Sequence, residues 1–485
     1  MSTSISSTGS VSSAGIGSGL DVSSIISKLM EVEKAPLTSL QTKATSIQST
    51  ISAYGTLKSD VSDLRDAART LIKPSTWSAT TGTSSDSTSV GVSTGTSAAT
   101  GNYAVQVQSL AAAQSTVSGT FSAADALVGS GTLHIDLGTW STNNASFTAK
   151  SGSSGVDITV SATDTLTTLA DKITASSAGV NASVVTDASG SRLVLTSKTT
   201  GVDNAFRITA ADSDGANTDA SGLSALAYDP AGGTTATTST QTAANAKATI
   251  NGLSVTSATN TLTDVIKGLT LTLGKVTTSP VQIGIAQDTD SIKTAVQSFV
   301  TTYNTLSSLL STDLKYDSST STAGPLQGDS SAQSLQRQLR NLISGSSGAS
   351  STFPNLSQMG LEIQTDGTLK VNDTKLTAAL ANPSEMKKAF ANADLSNSGN
   401  NGFAQQINLF GNAVLGGDGL LTTRIAGLNA SLTRNQSDQD KLQTRLDATQ
   451  ARLTKQYNAL DTKMASLTTL STYITQQITN WNKSS

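Results

Sequence analysis

The sequence predicts an α+β multidomain fold. Long terminal helices form a coiled-coil-like leg and a helical bundle domain, with β-rich domains inserted between them. Two observations carry this. Apolar residues recur in steps of three and four near both ends, from Leu37 to Leu71 and from Leu442 to Trp481, which sets them on one stripe of a helix. The middle of the chain is instead rich in Ser, Thr, Gly and Ala, punctuated by short alternating runs of the kind strands require.

Bulk composition narrows the function classes. A chain of 485 residues holds about three domains on the usual scale of ~150 residues each. Hydrophobic content of 36%, aromatic content of 4% and charged content of 13% are low for a compact enzyme. The charge is also too low for a self-repelling disordered chain. A net charge of −3 leaves no electrostatic footprint for nucleic acid. The absence of cysteine excludes disulfides and thiolate metal sites. No run approaches the ~18–20 apolar residues of a membrane span. Residues 1–19 lack the basic start and apolar core of a cleavable signal peptide. The chain is therefore expected in the cytoplasm, or exported by a route that reads an unprocessed N-terminus.

From the N-terminus, Asp21 is placed to cap a short helix carrying Val22, Ile25, Ile26, Leu29 and Met30, and Pro36 fits the first position of the next helix. That helix carries Leu37, Leu40, Ala44, Ile47, Ile51, Tyr54, Leu57, Val61, Leu64, Ala68 and Leu71 and stops near Lys73-Pro74. Strands are expected at Tyr103–Val107, Leu133–Leu137, Val156–Val160, Ser183–Val185 and Leu193–Leu195. Ser161-Ala162-Thr163-Asp164-Thr165-Leu166-Thr167 recurs as Ser257 to Thr263, with Asn260 in place of Asp164. Each copy follows a strand and precedes an apolar helical pattern, so two strand–short helix–strand modules are predicted. The low-complexity stretch 211–244 reads as a boundary. Past Pro280, Ile292, Val296, Phe299, Tyr303, Leu306 and Leu310 step as a heptad. Asp366-Gly367 marks a hairpin between Leu361–Ile363 and Leu369–Val371. The last long helices start near Phe403, break at Gly416–Gly419 and run to Trp481.

Catalytic chemistry finds little support. His134, the one histidine, falls on the polar phase of its strand and reads as solvent-facing. Gly268 to Val276 has the wrong spacing for a phosphate-binding loop and alternates like a strand. Asp212 to Asp219 is a polar loop, because its glycine is misplaced for calcium. No catalytic, cofactor or metal residue is assigned, and no cofactor is expected.

With these residues in view, the chain closely resembles the bacterial flagellar filament cap (hook-associated protein 2) family. The resemblance spans nearly the whole length. It is specific at Gly17–Val22, Ser52–Lys58, Tyr103–Ala111, Ile285–Thr289, Gln327–Asp329 and Ser471–Gln477. The repeated modules look like the IN motif of flagellins and hook-associated proteins. The resemblance implies a non-enzymatic, homo-oligomeric ring, commonly a pentamer, at the distal filament tip. Such a cap stops exported flagellin leaking away and helps it fold and insert. It further implies passage through the flagellar export apparatus, a cytoplasmic export chaperone on the C-terminal helix, and in some relatives adhesion to host mucus glycans. The competing readings are another axial flagellar protein (hook–filament junction or flagellin-like) and a surface adhesin.

The expected division is 1–36 plus 435–485 as a helical leg, and 37–75 plus 281–434 as a helical bundle with a small hairpin. An inner β-domain takes 76–115 plus 242–280, and an outer β-rich domain takes 116–241. Expected contacts with self or filament are Leu20, Ile25, Ile26, Leu29, Leu37, Leu40, Ile47 and Ile51. From the C-terminal run they are Leu442, Leu446, Leu453, Leu460, Met464, Leu467, Ile474 and Ile478.

Overall fold

The computed structural model describes residues 21–234, 236–319 and 321–483. Helices among them are α1 (Val22–Ile72), α2 (Pro74–Ser78), α3 (Leu166–Ala175), α4 (Thr289–Leu314), α5 (Ser330–Ser344), α6 (Asp373–Leu380), α7 (Pro383–Ala391), α8 (Phe403–Leu415) and α9 (Leu420–Lys483). The chain divides into two compact units. One is Pro74–Ser291; the other joins the segment ending at Lys73 to the segment beginning at Ile292.

In the inserted unit, β1 (Thr80–Ser84), β16 (Val281–Gln287), β3 (Gly101–Ser109), β12 (Ala246–Ile250) and β13 (Leu253–Ser257) form an antiparallel sheet in that order. A second sheet orders β14 (Thr261–Thr263), β15 (Leu269–Leu273) and β2 (Val90–Thr94). The alternation of Leu269, Leu271 and Leu273 turns all three inward, where they share a core with Val90, Val105, Val107 and Ile283. This confirms the strand reading of the glycine-flanked run.

Further along, β5 (Gly131–Trp140) pairs β10 (Ala205–Asp212) on one side. On its other side it pairs β6 (Phe147–Ala149) and β7 (Val156–Val160). A four-stranded sheet runs β11 (Thr238–Gln241), β4 (Ser115–Val117), β9 (Gly190–Ser197), β8 (Val180–Asp187). Leu166, Leu169 and Ile173 of α3 join Leu133, Ile135, Leu193, Leu195 and Phe206 in a buried cluster.

The stretch 211–244, expected as a boundary, buries Leu223, Leu226 and Tyr228 in that same cluster, and Ala246 just past it belongs to the other core. The two repeat copies correct the expectation of matching modules, since they diverge. The first caps α3 through Thr165, which accepts from Thr168 N–H. In the second, β14 leads into a turn with Asp264 at φ 55° and no helix. There Asn260 instead bonds both backbone groups of Ala111, at 2.7 and 2.9 Å, so the equivalent position ties together two segments that connect strands. His134 lies on the polar, half-exposed face that its phase predicts, with its ring nitrogens beside Asp136 and Asp157.

The helical unit closes around the apolar stripes. Tyr54, Leu57, Val61, Leu64, Ala68 and Leu71 of α1 are fully buried, as are Ile292, Val296, Phe299, Tyr303, Leu306 and Leu310 of α4. Phe299 meets Phe390 of α7 edge-on at 6.4 Å. Asn304 clips β20 (Leu369–Val371), the partner of β19 (Leu361–Ile363), by bonding both backbone groups of Leu369. A two-residue pairing of β17 (Tyr316–Asp317) with β18 (Thr322–Ala323) precedes them. Close approach of α8 to α1 rests on Gly411, where a Cβ would lie 2.8 Å from Arg65 Cβ.

Asp21 caps α1 by accepting from Ser24 N–H at 2.9 Å. Pro36, expected to open a second helix, lies inside α1, which runs unbroken for 51 residues. An internal proline costs ~3 kcal/mol. Val22, Ile26, Met30 and Leu37, on both sides of it, are buried against α9, and each such burial contributes ~1.5–3 kcal/mol. Packing therefore outweighs the broken hydrogen bond.

Candidate interaction surface on the terminal helices

The two terminal helices meet along one seam. Val22, Ile26, Met30 and Leu37 of α1 and Leu446 of α9 form a buried cluster, with Leu442, Leu453 and Tyr457 packed partly against it. Of the contact residues expected from the sequence, Ile26, Leu37, Leu442, Leu446 and Leu453 thus come together. Ile25, Leu40, Ile47 and Ile51 are partly buried along α1. Leu29 stays exposed beside Val32, which is 75% exposed and which the spacing did not mark. Leu20 lies outside the described residues.

One flank of this seam is open. A groove of about 280 Å³ runs between Val22, Ile26 and Met30 on one side and Gln450, Thr454 and Asn458 on the other. Asn458 Oδ1 is buried there with no hydrogen-bond partner among the described residues. From that point Leu460, Met464, Leu467, Ile474 and Ile478 are all exposed, Leu467 at 59%. Leu470, Tyr473 and Trp481 extend the apolar surface and are exposed too.

The polar flanks of this stretch are occupied internally. Thr462, Ser466, Thr468, Thr469, Thr472, Thr475 and Thr479 each donate a hydroxyl to the carbonyl four residues back, the usual back-bond of helical Ser and Thr. No charged residue lies between Met464 and Asn482. What this part of α9 offers outward is therefore mainly apolar contact, beside the exposed amides of Gln476, Gln477 and Asn480. A contiguous exposed patch of that kind marks an interaction surface in a soluble protein.

Upstream, a buried polar clamp fixes α9 to the bundle. Asp329 accepts from Tyr54 Oη at 2.7 Å and from Arg424 Nη2 at 2.6 Å, and caps α5 through Ser331 and Ala332 N–H. Burial pushes the Asp329 carboxyl up, but the donors Tyr54, Arg424 and Ala332 N–H outweigh it and hold the group below its ordinary value. Burial and the adjacent carboxylate push the Tyr54 phenol up. Tyr54 and Asp329 stand in segments that carry the family resemblance, whereas Arg424 stands in none. Asp ahead of Ser-Ser is a readable cap signal; its arginine partner comes from a distant element.

Among the described residues, no group of three or more His, Cys, Asp or Glu could hold a metal ion. No helix among them is long and apolar enough to cross a membrane.

Comparison with known proteins places these features in context. Residues 18–114 match the family model for the flagellar hook-associated protein 2 N-terminus, and residues 243–469 match that for its C-terminus. Residues 145–199, holding the first repeat copy and α3, match the flagellin hook IN motif. The chain is 32% identical over 483 residues to flagellar hook-associated protein 2 of Escherichia coli K12, covering 97% of this chain and 98% of that one. Its counterpart in Escherichia coli O157:H7 is 31% identical with the same coverage. The crystal structure of the flagellar cap protein FliD D1-D2-D3 domains from Escherichia coli superposes with a TM-score of 0.59 at 29% identity, covering 78% of this chain and 99% of that one.

Proposed function

Because the chain belongs to the flagellar hook-associated protein 2 family, we propose that it caps the distal end of the flagellar filament as a closed ring of identical copies. The ring retains exported flagellin and gives each new subunit a sheltered place to fold and insert. The terminal helices are the legs of this ring. Leu460, Met464, Leu467, Ile474 and Ile478 contact a neighbouring copy or the filament end, and a cytoplasmic chaperone covers them before export. The exposed, uncharged stripe of distal α9 carries the reading. Burying one such side chain is worth ~1.5–3 kcal/mol, so five of them on each copy favour association.

The test is complementation of a strain lacking the protein, with electron microscopy and a measurement of flagellin shed into the medium. The intact chain is expected to restore full filaments and stop shedding. A Leu467→Glu/Ile474→Glu variant, secreted at the same level, is expected to leave filaments short and flagellin in the medium. If shedding is the same with and without the intact chain, the cap reading fails.

A further inference from the structure

His134 sits apart from the terminal helices, and its surroundings fit only one of its protonation states. It lies on β5 directly opposite Asp157 of β7. Nδ1 is 2.5 Å from Asp157 Oδ1, and Nε2 is 3.1 Å from Asp136 Oδ1. A neutral imidazole has one N–H and one lone pair, whereas the cation has two donors. With a carboxylate at each nitrogen, a neutral ring would turn a lone pair toward an anionic oxygen. We infer that the His134 imidazolium is a pH-operated clasp holding β7 onto β5, and that the clasp opens when the ring loses its proton.

The groups facing the ring are few. Asp157 comes from β7 and Asp136 from the same strand. From β10, Arg207 bonds the second oxygen of Asp136 at 2.8 Å and stands 5.0 Å over the Phe147 ring. Thr209, paired with His134 across β10, is neutral. The chain entering β7 lies against the ring, since a Cβ at Gly155 would fall 2.2 Å from His134 Nε2. Asp136 is buried and shared with Arg207, while Asp157 is exposed, so water can replace the ring at Asp157 once a single N–H remains. The Asp157 bond is the main influence raising the ring above its ordinary pKa; burial opposes it and Asp136 adds to it. A pKa raised by folding gives stability that is complete below the unfolded value and lost as pH climbs through the folded value. Loosened, β7 would slacken the turn it feeds, where Asp164 accepts from Ser161 N–H just before α3.

With one histidine in the chain, NMR of the full-length protein reads its titration directly. The midpoint is expected above that of the urea-unfolded chain, and Asp157→Asn is expected to lower it toward that value. Amide exchange over Val156–Val160, corrected for base catalysis, should rise severalfold as pH crosses the native midpoint. His134→Gln, neutral throughout, should show no such step. Equal midpoints in folded and unfolded chains overturn the inference, as does a midpoint indifferent to Asp157→Asn. An exchange step of the same size in His134→Gln also overturns it. If that variant fails to fold, the native and Asp157→Asn titrations still decide.

Discussion

Asp329 accepts the Tyr54 phenolic O–H on one oxygen and the Arg424 guanidinium on the other while capping a helix with the first. A carboxylate depressed by folding gives stability that is complete above its unfolded pKa and lost as pH falls through the native one. Asp329→Asn keeps an acceptor for Tyr54 but leaves Arg424 without its counter-charge. We expect a loss of ~1–3 kcal/mol at neutral pH, read by urea unfolding, and a shallower fall in stability on the acid side. An unchanged acid limb would show that Asp329 titrates alike in both states. Single residues were unevenly legible in the sequence. Side-chain alternation placed Leu133 and Ile135 inward and His134 on the half-exposed face, yet it did not show Asp157 beside the ring, because cross-strand partners depend on register. Arg424 was invisible for a similar reason: its value depends on where α1 and α5 arrive.

Among the elements, α9 combines two kinds of helix in one 64-residue span. Its first part is tied down by the clamp and the seam; its last part presents leucine, isoleucine and methionine to solvent. Without charge in that stretch, association through it should be nearly insensitive to salt, unlike binding steered by ion pairs. Sedimentation of the purified protein between about 0.05 and 0.5 M salt, where screening lengths shrink severalfold, should show an unchanged self-association constant. Leu467→Glu/Ile474→Glu should abolish association without moving the melting temperature; a lower melting temperature would mean that the stripe is part of the fold. Long, strongly periodic helices were legible from spacing alone: the α4 heptad, and the break at Gly416–Gly419 between α8 and α9. Pro36 misled because local propensity was overruled by burial at Val22 to Leu37. The second repeat copy misled because a shared heptapeptide does not dictate the conformation of the residues after it. Asp264 and Gly268, both at positive φ, turn the chain away from a helix there.

For the whole molecule, the inserted unit begins and ends side by side. β1 and β16 pair from Thr80↔Gln287 to Ser84↔Ile283, so the insertion leaves and re-enters the helical unit at adjacent strands. With its own buried clusters, Pro74–Ser291 should fold when expressed alone, with one cooperative urea transition or two and a β-rich circular dichroism spectrum. A featureless, non-cooperative fragment would show that it depends on the helices. The seam between α1 and α9 has the opposite character. Ile26 and Leu446 share a cluster although nearly the whole chain lies between them. Contacts across such a separation form slowly, because the intervening loop must close first. During synthesis, which proceeds from the N-terminus, this seam can zip only after Leu446 has emerged. Its pairing would then report that the helical segments on both sides of the insertion are present.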